Sequence, residues 1–305
     1  MNEQRRWRVG VIGLGTMGRR IAAAMHAHPR FAVVLGFDPR FRSSSWFSLA
    51  ANAEQLVSDD RVECVYVATP PKLHERCVEL AVAAGKPLFC EKPLAPSVEA
   101  AERCTALVAQ SAAPSAVNFP FATATNIVKL GELVHDNSLG TITGATLELR
   151  FARWPREWQR AGSAWLDNAS EGGFMREVGS HFVFAMQRMF GASTVRSAHV
   201  ERSAAGLEQR VFAQLRSGTI DWTIRADIGG DDADYNRLEV VGTRGRAIVR
   251  NWYHLAHPSG IVRLTRPDGL QLDALADLLD GNTSPLASFA EATAVVRTIE
   301  GILHA

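Results

Sequence analysis

The chain has 305 residues, 47% of them hydrophobic and 21% charged, a globular composition that excludes a disordered or low-complexity protein. Its 33 Lys+Arg against 32 Asp+Glu give a formal net charge of +1, without the basic excess by which nucleic-acid binders neutralise phosphates. No apolar run approaches the roughly 18 residues of a membrane span. The polar, basic start leads into too short an apolar run for a secretory signal, so a cytoplasmic location is expected.

Residues 8–13 read as a buried strand and 17–28 as a helix. A second strand spans 31–37 and a third 61–68, followed by helix 73–84, strand 87–90 and helix 98–110. Strand–helix alternation, with β-branched strands buried on both faces, predicts a parallel doubly wound sheet. Right-handed crossovers then gather the loops that follow the strands at one edge, where ligands of such sheets bind. Beyond about Asn118 the strands lengthen and alternate apolar with polar, at 141–154, 195–203, 210–215, 219–226 and 238–249. Period-two alternation buries one face and wets the other, as in an antiparallel sheet. Ser217-Gly218 and Gly242 to Gly245 punctuate hairpins. Helix 174–190 interrupts this series, and helices 272–279 and 288–303 follow it. The expectation is an α/β domain over 1–120 and an α+β domain over 121–305, the last helix free to pack back on the first.

Four cysteines (Cys64, Cys77, Cys90, Cys104) form no Cys-x-x-Cys pair and match no zinc-ligand spacing, so neither a metal nor a disulfide is expected.

Gly13-Leu14-Gly15-Thr16-Met17-Gly18 is a G-x-G-x-x-G directly after a strand and at the opening of a helix, the context that makes this pattern specific for dinucleotides. Gly13 permits the tight turn, Gly15 lets the backbone approach a pyrophosphate, and Gly18 allows close helix–strand packing. The helix beginning near Thr16 and Met17 turns its free N–H groups and its dipole toward the phosphates. Asp38 ends the second strand, where a carboxylate grips the adenosine ribose hydroxyls. A carboxylate there repels a 2′-phosphate, so NAD is favoured. Arg40 is placed to stack on adenine or, with Asp38 turned away, to hold the 2′-phosphate of NADP.

Three further segments join this fingerprint: Thr69-Pro70-Pro71-Lys72-Leu73-His74, Glu91-Lys92-Pro93, and the stretch from Gly172 through Glu177 and Gly179 to His181. Together they resemble the glucose–fructose oxidoreductase / inositol dehydrogenase (Gfo/Idh/MocA) family of nicotinamide-dependent dehydrogenases, over nearly the whole chain. The resemblance implies a Rossmann domain followed by a domain built on a large, open, mostly antiparallel sheet, with the active site in the cleft between them and the sheet used to form homo-dimers or tetramers. It makes Lys92 the contact to the nicotinamide ribose and the reacting oxygen, and His181 the usual acid/base. Thr69, Pro70, His74, Glu91 and Asn118 become candidates for the cofactor side, with local packing as the alternative for His74 and a turn role for Asn118. Two departures stand out. Glu177 occupies a place where the family usually has Asp, and Phe184 one where an acid is common.

The residue chemistry agrees with those roles. Oxidising a carbinol carbon by hydride transfer requires the hydroxyl proton to leave, and histidine titrates near neutral pH. A lysine ammonium over the same oxygen stabilises developing alkoxide charge. Glu177 and His181 lie four apart on a helix pattern and share a face, which suits a carboxylate that orients the imidazole. Between Phe151 and Trp165 the chain concentrates Trp154, Trp158, Trp165, Arg153, Arg156 and Arg160. This stretch is expected to wall the substrate site, indoles stacking on a sugar C–H face and arginine holding an anion; anchoring a long loop or filling a subunit interface is the alternative. Arg176 is a further anion candidate, with a salt bridge as its alternative. The function expected is an NAD(P)-dependent oxidoreductase acting on a hydroxyl or carbonyl of a sugar, cyclitol or similar polar molecule. The rivals are an NAD-using glycosidase, an imine or enone reductase, and a non-catalytic NAD-binding regulator.

Overall fold

The computed structural model describes residues 5–160, 164–229, 234–264 and 267–305. Two compact units emerge, one from the chain up to Phe119 together with Asp268–Thr293, the other from Pro120–Pro267 together with Ala294–Ala305.

The first unit runs β1 (Trp7–Ile12), α1 (Thr16–Ala27), β2 (Phe31–Phe37), β3 (Ser48–Leu49), α2 (Ala53–Ser58), β4 (Cys64–Val67), α3 (His74–Ala83), β5 (Leu88–Glu91), α4 (Val98–Ala109) and β6 (Ser115–Asn118). Its six strands lie in the order β3-β2-β1-β4-β5-β6, and every pair is parallel. Strands buried on both faces explain the unbroken apolar runs: Cys64, Val65, Tyr66 and Val67 are all fully buried. The order reverses between β1 and β4, so the loops after these two strands border the crevice where doubly wound sheets bind nucleotides. β2 falls where its sequence places it. The third strand is shorter than expected because Arg61 is held in a turn by its backbone and side-chain bonds to Asp59. β3, α2 and β6 were not foreseen.

The second unit holds α5 (Thr125–His135), β7 (Ile142–Phe151), α6 (Glu157–Arg160), α7 (Ser180–Phe190), β8 (Ser193–Arg202), β9 (Glu208–Ser217), β10 (Ile220–Ile228), β11 (Tyr235–Gly242), β12 (Gly245–Arg250), β13 (His254–His257) and β14 (Gly260–Arg263). The eight strands form one open sheet in the order β14-β13-β12-β11-β7-β10-β9-β8. Pairing is antiparallel except between β7 and β10. Leu147, Leu149, Ile224, Leu238 and Val240 line the buried face. Arg237 lies on the other face, within ion-pair distance of Glu148 and Glu239, which is the alternation legible in the sequence. The run 238–249 is two strands meeting at the Gly242–Gly245 hairpin. The helix expected at 174–190 opens with a π-helical turn at Met175–Gly179 before α7 begins.

α8 (Pro267–Leu279) belongs from Asp268 onward to the first unit, and α9 (Phe289–Leu303) begins in the first unit and ends in the second. Leu272, Leu275 and Leu279 join Val9, Val11, Met25, Phe31 and Tyr66 in one apolar cluster. Among the described residues, no helix is long and apolar enough to cross a membrane.

Candidate active site

The glycine turn separates what the chain needs from what a ligand needs. Gly13 has φ +94°, and a Cβ there would lie 2.6 Å from the Ala68 carbonyl group. A Cβ on Gly18 would overlap the Gly13 carbonyl oxygen. Both glycines are therefore required by the fold itself. Gly15 is different, because a Cβ at this position meets nothing within 4 Å. Its missing side chain keeps the approach to the helix open. Gly15 caps α1 without a side-chain hydrogen bond, and no acid occupies the first turn. The N–H groups of Thr16 and Met17 and the positive end of the dipole would thus meet a pyrophosphate placed at this end of the helix. Asp38 accepts hydrogen bonds from the backbone N–H groups of Leu14 (3.0 Å) and Arg40 (2.9 Å). Each carboxylate oxygen retains a lone pair for a ribose hydroxyl. The Arg40 guanidinium is exposed, its Nε 3.7 Å from Asp38. These residues fit a dinucleotide.

The next two loops meet at His74, at the start of α3. Its fully buried ring lies 2.8 Å (Nε2) from the Thr69 carbonyl oxygen and 3.1 Å (Nδ1) from that of Leu94. Burial pushes its pKa down, and a neutral imidazole donates to one of the two carbonyls. His74 thereby sits between the loop of Thr69 and Pro70 and the loop of Lys92 and Pro93, bonded to one carbonyl and packed against the other. Lys92 follows β5 and is half-buried. Glu91 is buried beneath it and accepts from the Tyr66 hydroxyl (2.5 Å) and the Asn118 Nδ2 (2.6 Å). Asn118 Oδ1 in turn accepts from Gln271 Nε2 (2.8 Å). Burial and the adjacent Glu91 raise the Tyr66 pKa well above the phenol range. Glu91 and Asn118, assigned from sequence to the cofactor, thus lie within a buried network that ends β5 and β6. Tyr66 and Gln271 escaped the sequence reading. Gln271 is 153 positions from Asn118, and no local pattern announces it.

In the second unit, His181 sits in the first turn of α7, 7% exposed. Its ring centroid lies 5.7 Å from that of Phe121 and 5.2 Å from that of Trp252, which meets it edge-to-face at 86°. Trp252 is a half-buried residue with φ +68°, following Asn251 with φ +48°. A non-glycine residue in the left-handed region costs about 1–2 kcal/mol, and a bulky one there is an outlier. Glu177 lies in the π-helical turn, so its relation to His181 is not the plain α-helical offset expected. Its Oε1 accepts from Gln159 Nε2 (3.1 Å), and Gln159 Oε1 accepts from Arg156 Nε (2.8 Å). Burial lowers the pKa of Arg156.

Arg176 is corrected from anion contact to internal tie. It is buried, forks onto Glu300 at 2.7 and 2.8 Å, and donates to the carbonyls of Ala169 and Gly172 at 2.9 Å. Four of its five N–H donors are engaged by those bonds. The three tryptophans divide. Trp154 anchors its segment, donating to the Leu166 carbonyl and packing edge-on against Phe151 and Phe174. Trp158 is 55% exposed, with the Arg156 guanidinium 4.8 Å from its ring centroid. Trp165 is half-buried. Residues 161–163 and the Arg160 side chain, within the same proposed wall, lie outside the described residues.

Residues 7–119 match the sequence model of the oxidoreductase family with an NAD-binding Rossmann fold. Residues 127–248 match the C-terminal domain model of GFO/IDH/MocA proteins. The chain belongs to the Gfo/Idh/MocA oxidoreductase family. An inositol 2-dehydrogenase of Agrobacterium fabrum is 36% identical over 105 residues, 32% of this chain and 31% of the relative. A 2,7-anhydro-N-acetylneuraminate hydratase of Escherichia coli is 36% identical over 94 residues, 30% of this chain and 25% of the relative. The stretches matched span a quarter to a half of the first curated relatives, from 26% to 49% of their length. The WlbA dehydrogenase of Bordetella pertussis, solved with NADH and UDP-GlcNAcA, shares the fold, with a TM-score of 0.87 over 98% of this chain and 95% of that one at 16% identity.

Proposed function

We propose that this family member is an NAD-dependent dehydrogenase acting on a hydroxyl-bearing carbon of a cyclitol, sugar or similar polyol. The observation that carries the proposal is Gly15, a glycine that no neighbour in the chain requires, between an uncapped helix and Asp38. Gly15, Thr16 and Met17 would hold the pyrophosphate and Asp38 the adenosine ribose. When bound, nicotinamide supplies the acceptor or donor of hydride. His181 takes the hydroxyl proton in oxidation and returns it in reduction, its ring held by Phe121 and Trp252. Lys92 places its ammonium at the reacting oxygen and stabilises the charge that develops there. Glu91, fixed by Tyr66 and Asn118, anchors the strand end from which Lys92 projects. Trp158 and Arg156 offer an indole face and a cation to a polar substrate. Asp38 favours NAD over NADP by repelling a 2′-phosphate. A homo-oligomer formed through the sheet of the second unit is also proposed, supported by Phe212 and Val241, each 38% exposed on its strands.

A second reading has the cofactor oxidise and re-reduce the same substrate with no net change, as a hydratase or glycosidase would use it; the likeness to the E. coli hydratase supports this. Reduced-cofactor absorbance separates the two when cyclitols, sugars and amino sugars are offered with NAD and with NADP. Net NADH formation that is lost in Lys92→Ala establishes the dehydrogenase. Substrate consumption without NADH formation supports the second reading instead.

A further inference from the structure

We propose that Trp252 is a positioning residue for His181, held in a left-handed turn so that its indole fixes the plane of the imidazole. The inference rests on the acid/base role of His181 stated above and extends it to a residue outside every motif of the sequence.

The β12–β13 connection places two successive residues, Asn251 and Trp252, at positive φ. Asparagine is a common occupant of such turns, and glycine is the usual second residue. Here a tryptophan stands in the second place. Two buried asparagines from other elements hold it there. Asn236 of β11 accepts the Trp252 N–H at Oδ1 (2.9 Å), while its carbonyl accepts the Asn251 N–H (3.0 Å). Asn126 of α5 donates its Nδ2 to the Trp252 carbonyl (2.8 Å). Asn126 is fully buried and Asn236 4% exposed, so both peptide groups of Trp252 are bonded from the interior. Backbone conformations of this kind persist only where surrounding structure over-determines them, and they cluster at functional sites.

The clamp delivers the indole to one place. Its centroid lies 5.2 Å from that of His181, 5.5 Å from Phe121 and 5.3 Å from Phe182. Phe121 stands edge-on to Phe182 and also touches His181. The imidazole is thus set in a corner of two aromatic rings, each braced by a third. An edge-to-face contact defines a ring plane as well as a distance. A proton acceptor must present its lone pair along the O–H direction, so the ring plane enters the rate.

The test has two arms. In the first, histidine-labelled protein without ligand is studied by NMR, with His181→Asn identifying the His181 ring signals. The expected result is that these ring signals, set by the ring current of the nearby indole, shift in Trp252→Leu and return part of the way in Trp252→Phe. Asn126→Ala, which loosens the turn while keeping every aromatic residue, gives a smaller shift of the same sign and serves if Trp252→Leu does not fold. Unchanged His181 signals in these variants overturn the proposal whatever the chain catalyses. The second arm follows NADH formation with inositol, or with whichever polyol of the panel turns over. For Trp252→Leu, kcat falls on the order of 10²-fold while KM stays within about threefold, as misplacement of a reacting group requires. The solvent deuterium isotope effect on kcat rises, and Trp252→Phe recovers most of the loss. A change confined to KM overturns the positioning role and leaves the dehydrogenase standing. Full activity in His181→Asn, or no turnover of any polyol, removes the acid/base role and this proposal with it.

Discussion

The carboxylate of Asp38 accepts the backbone N–H of Leu14 at 3.0 Å, so the acid that ends β2 also holds the glycine turn that follows β1. One side chain therefore shapes the cradle and, in the function proposed above, selects what enters it. Removing it has two separable effects. Asp38→Ala is expected to raise the Kd for NAD by about 10-fold or more, the equivalent of losing a charge-assisted hydrogen bond. The Kd for NADP changes far less, because repulsion of the 2′-phosphate disappears and Arg40 remains. Titration of protein fluorescence with each nucleotide measures both. Tighter binding of NADP than of NAD by the unmodified chain would contradict the assignment of Asp38.

The two kinds of glycine in the turn should respond differently to alanine. Gly15→Ala meets open space and is expected to leave thermal stability within about 0.5 kcal/mol, as for an unstrained surface change, yet to weaken NAD binding. Gly13→Ala combines positive φ with a backbone clash and is expected to lower stability by about 1–3 kcal/mol or more. Urea midpoints alongside nucleotide titrations decide the matter, and equal stability losses in both would refute it.

Arg176 and Glu300 form a buried pair within the second unit. Arg176→Met leaves a carboxylate buried without its cation and is expected to cost about 3–5 kcal/mol. Arg176→Met with Glu300→Leu is expected to recover part of that, the shortfall reflecting the carbonyls of Ala169 and Gly172 that Arg176 also satisfies. A double-mutant cycle in urea reads the coupling; additivity of the two losses would show that the pair does not act as one.

Glu208 supplies the pH-dependent case. Its carboxylate is buried, accepts the Met175 N–H at 2.8 Å, and has its pKa raised by burial above the ordinary 4.5. The folded state therefore binds this proton more tightly than the unfolded state does. The stability it contributes is present in full below the ordinary value and is lost as pH rises through the raised one. Glu208→Gln keeps an oxygen for Met175 and carries no charge. Relative to the unmodified chain, the variant gains stability as pH increases across that window. Paired denaturation curves from acid to neutral pH check the sign, and a stability difference between the two that stays constant with pH would show that Glu208 is ionised at no cost.

What the sequence disclosed was local. Gly13, Gly15, Gly18 and Asp38 sit within one strand–turn–helix–strand unit, and their constraints are set by neighbours a few residues away. The alternation around Leu147, Leu149 and Ile224 exposed the second sheet for the same reason. α5 escaped although Ile127, Leu130 and Val134 recur at helical spacing, because Ala124 precedes it without a capping side chain to announce its start. The π turn that carries Glu177 inside a helix-like pattern leaves no trace in hydrophobic periodicity. Trp252 was hidden for a different reason. Its position depends on Asn126 and Asn236, residues remote in sequence whose side chains bond a backbone conformation that tryptophan seldom adopts.

The division of the first unit into two stretches of chain bears on its birth. Synthesis delivers the N-terminus first, and residues 120–267 are made before Asp268–Thr293 appear. Until then Val9, Met25 and Tyr66 lack the leucines of α8 that complete their cluster. Asn118 lacks Gln271, whose amide sets the direction of its own. A nascent chain halted on the ribosome short of Asp268 therefore holds every glycine of the nucleotide turn and presents an oily, unfinished surface to chaperones. Closure of the core behind the nucleotide turn waits for α8.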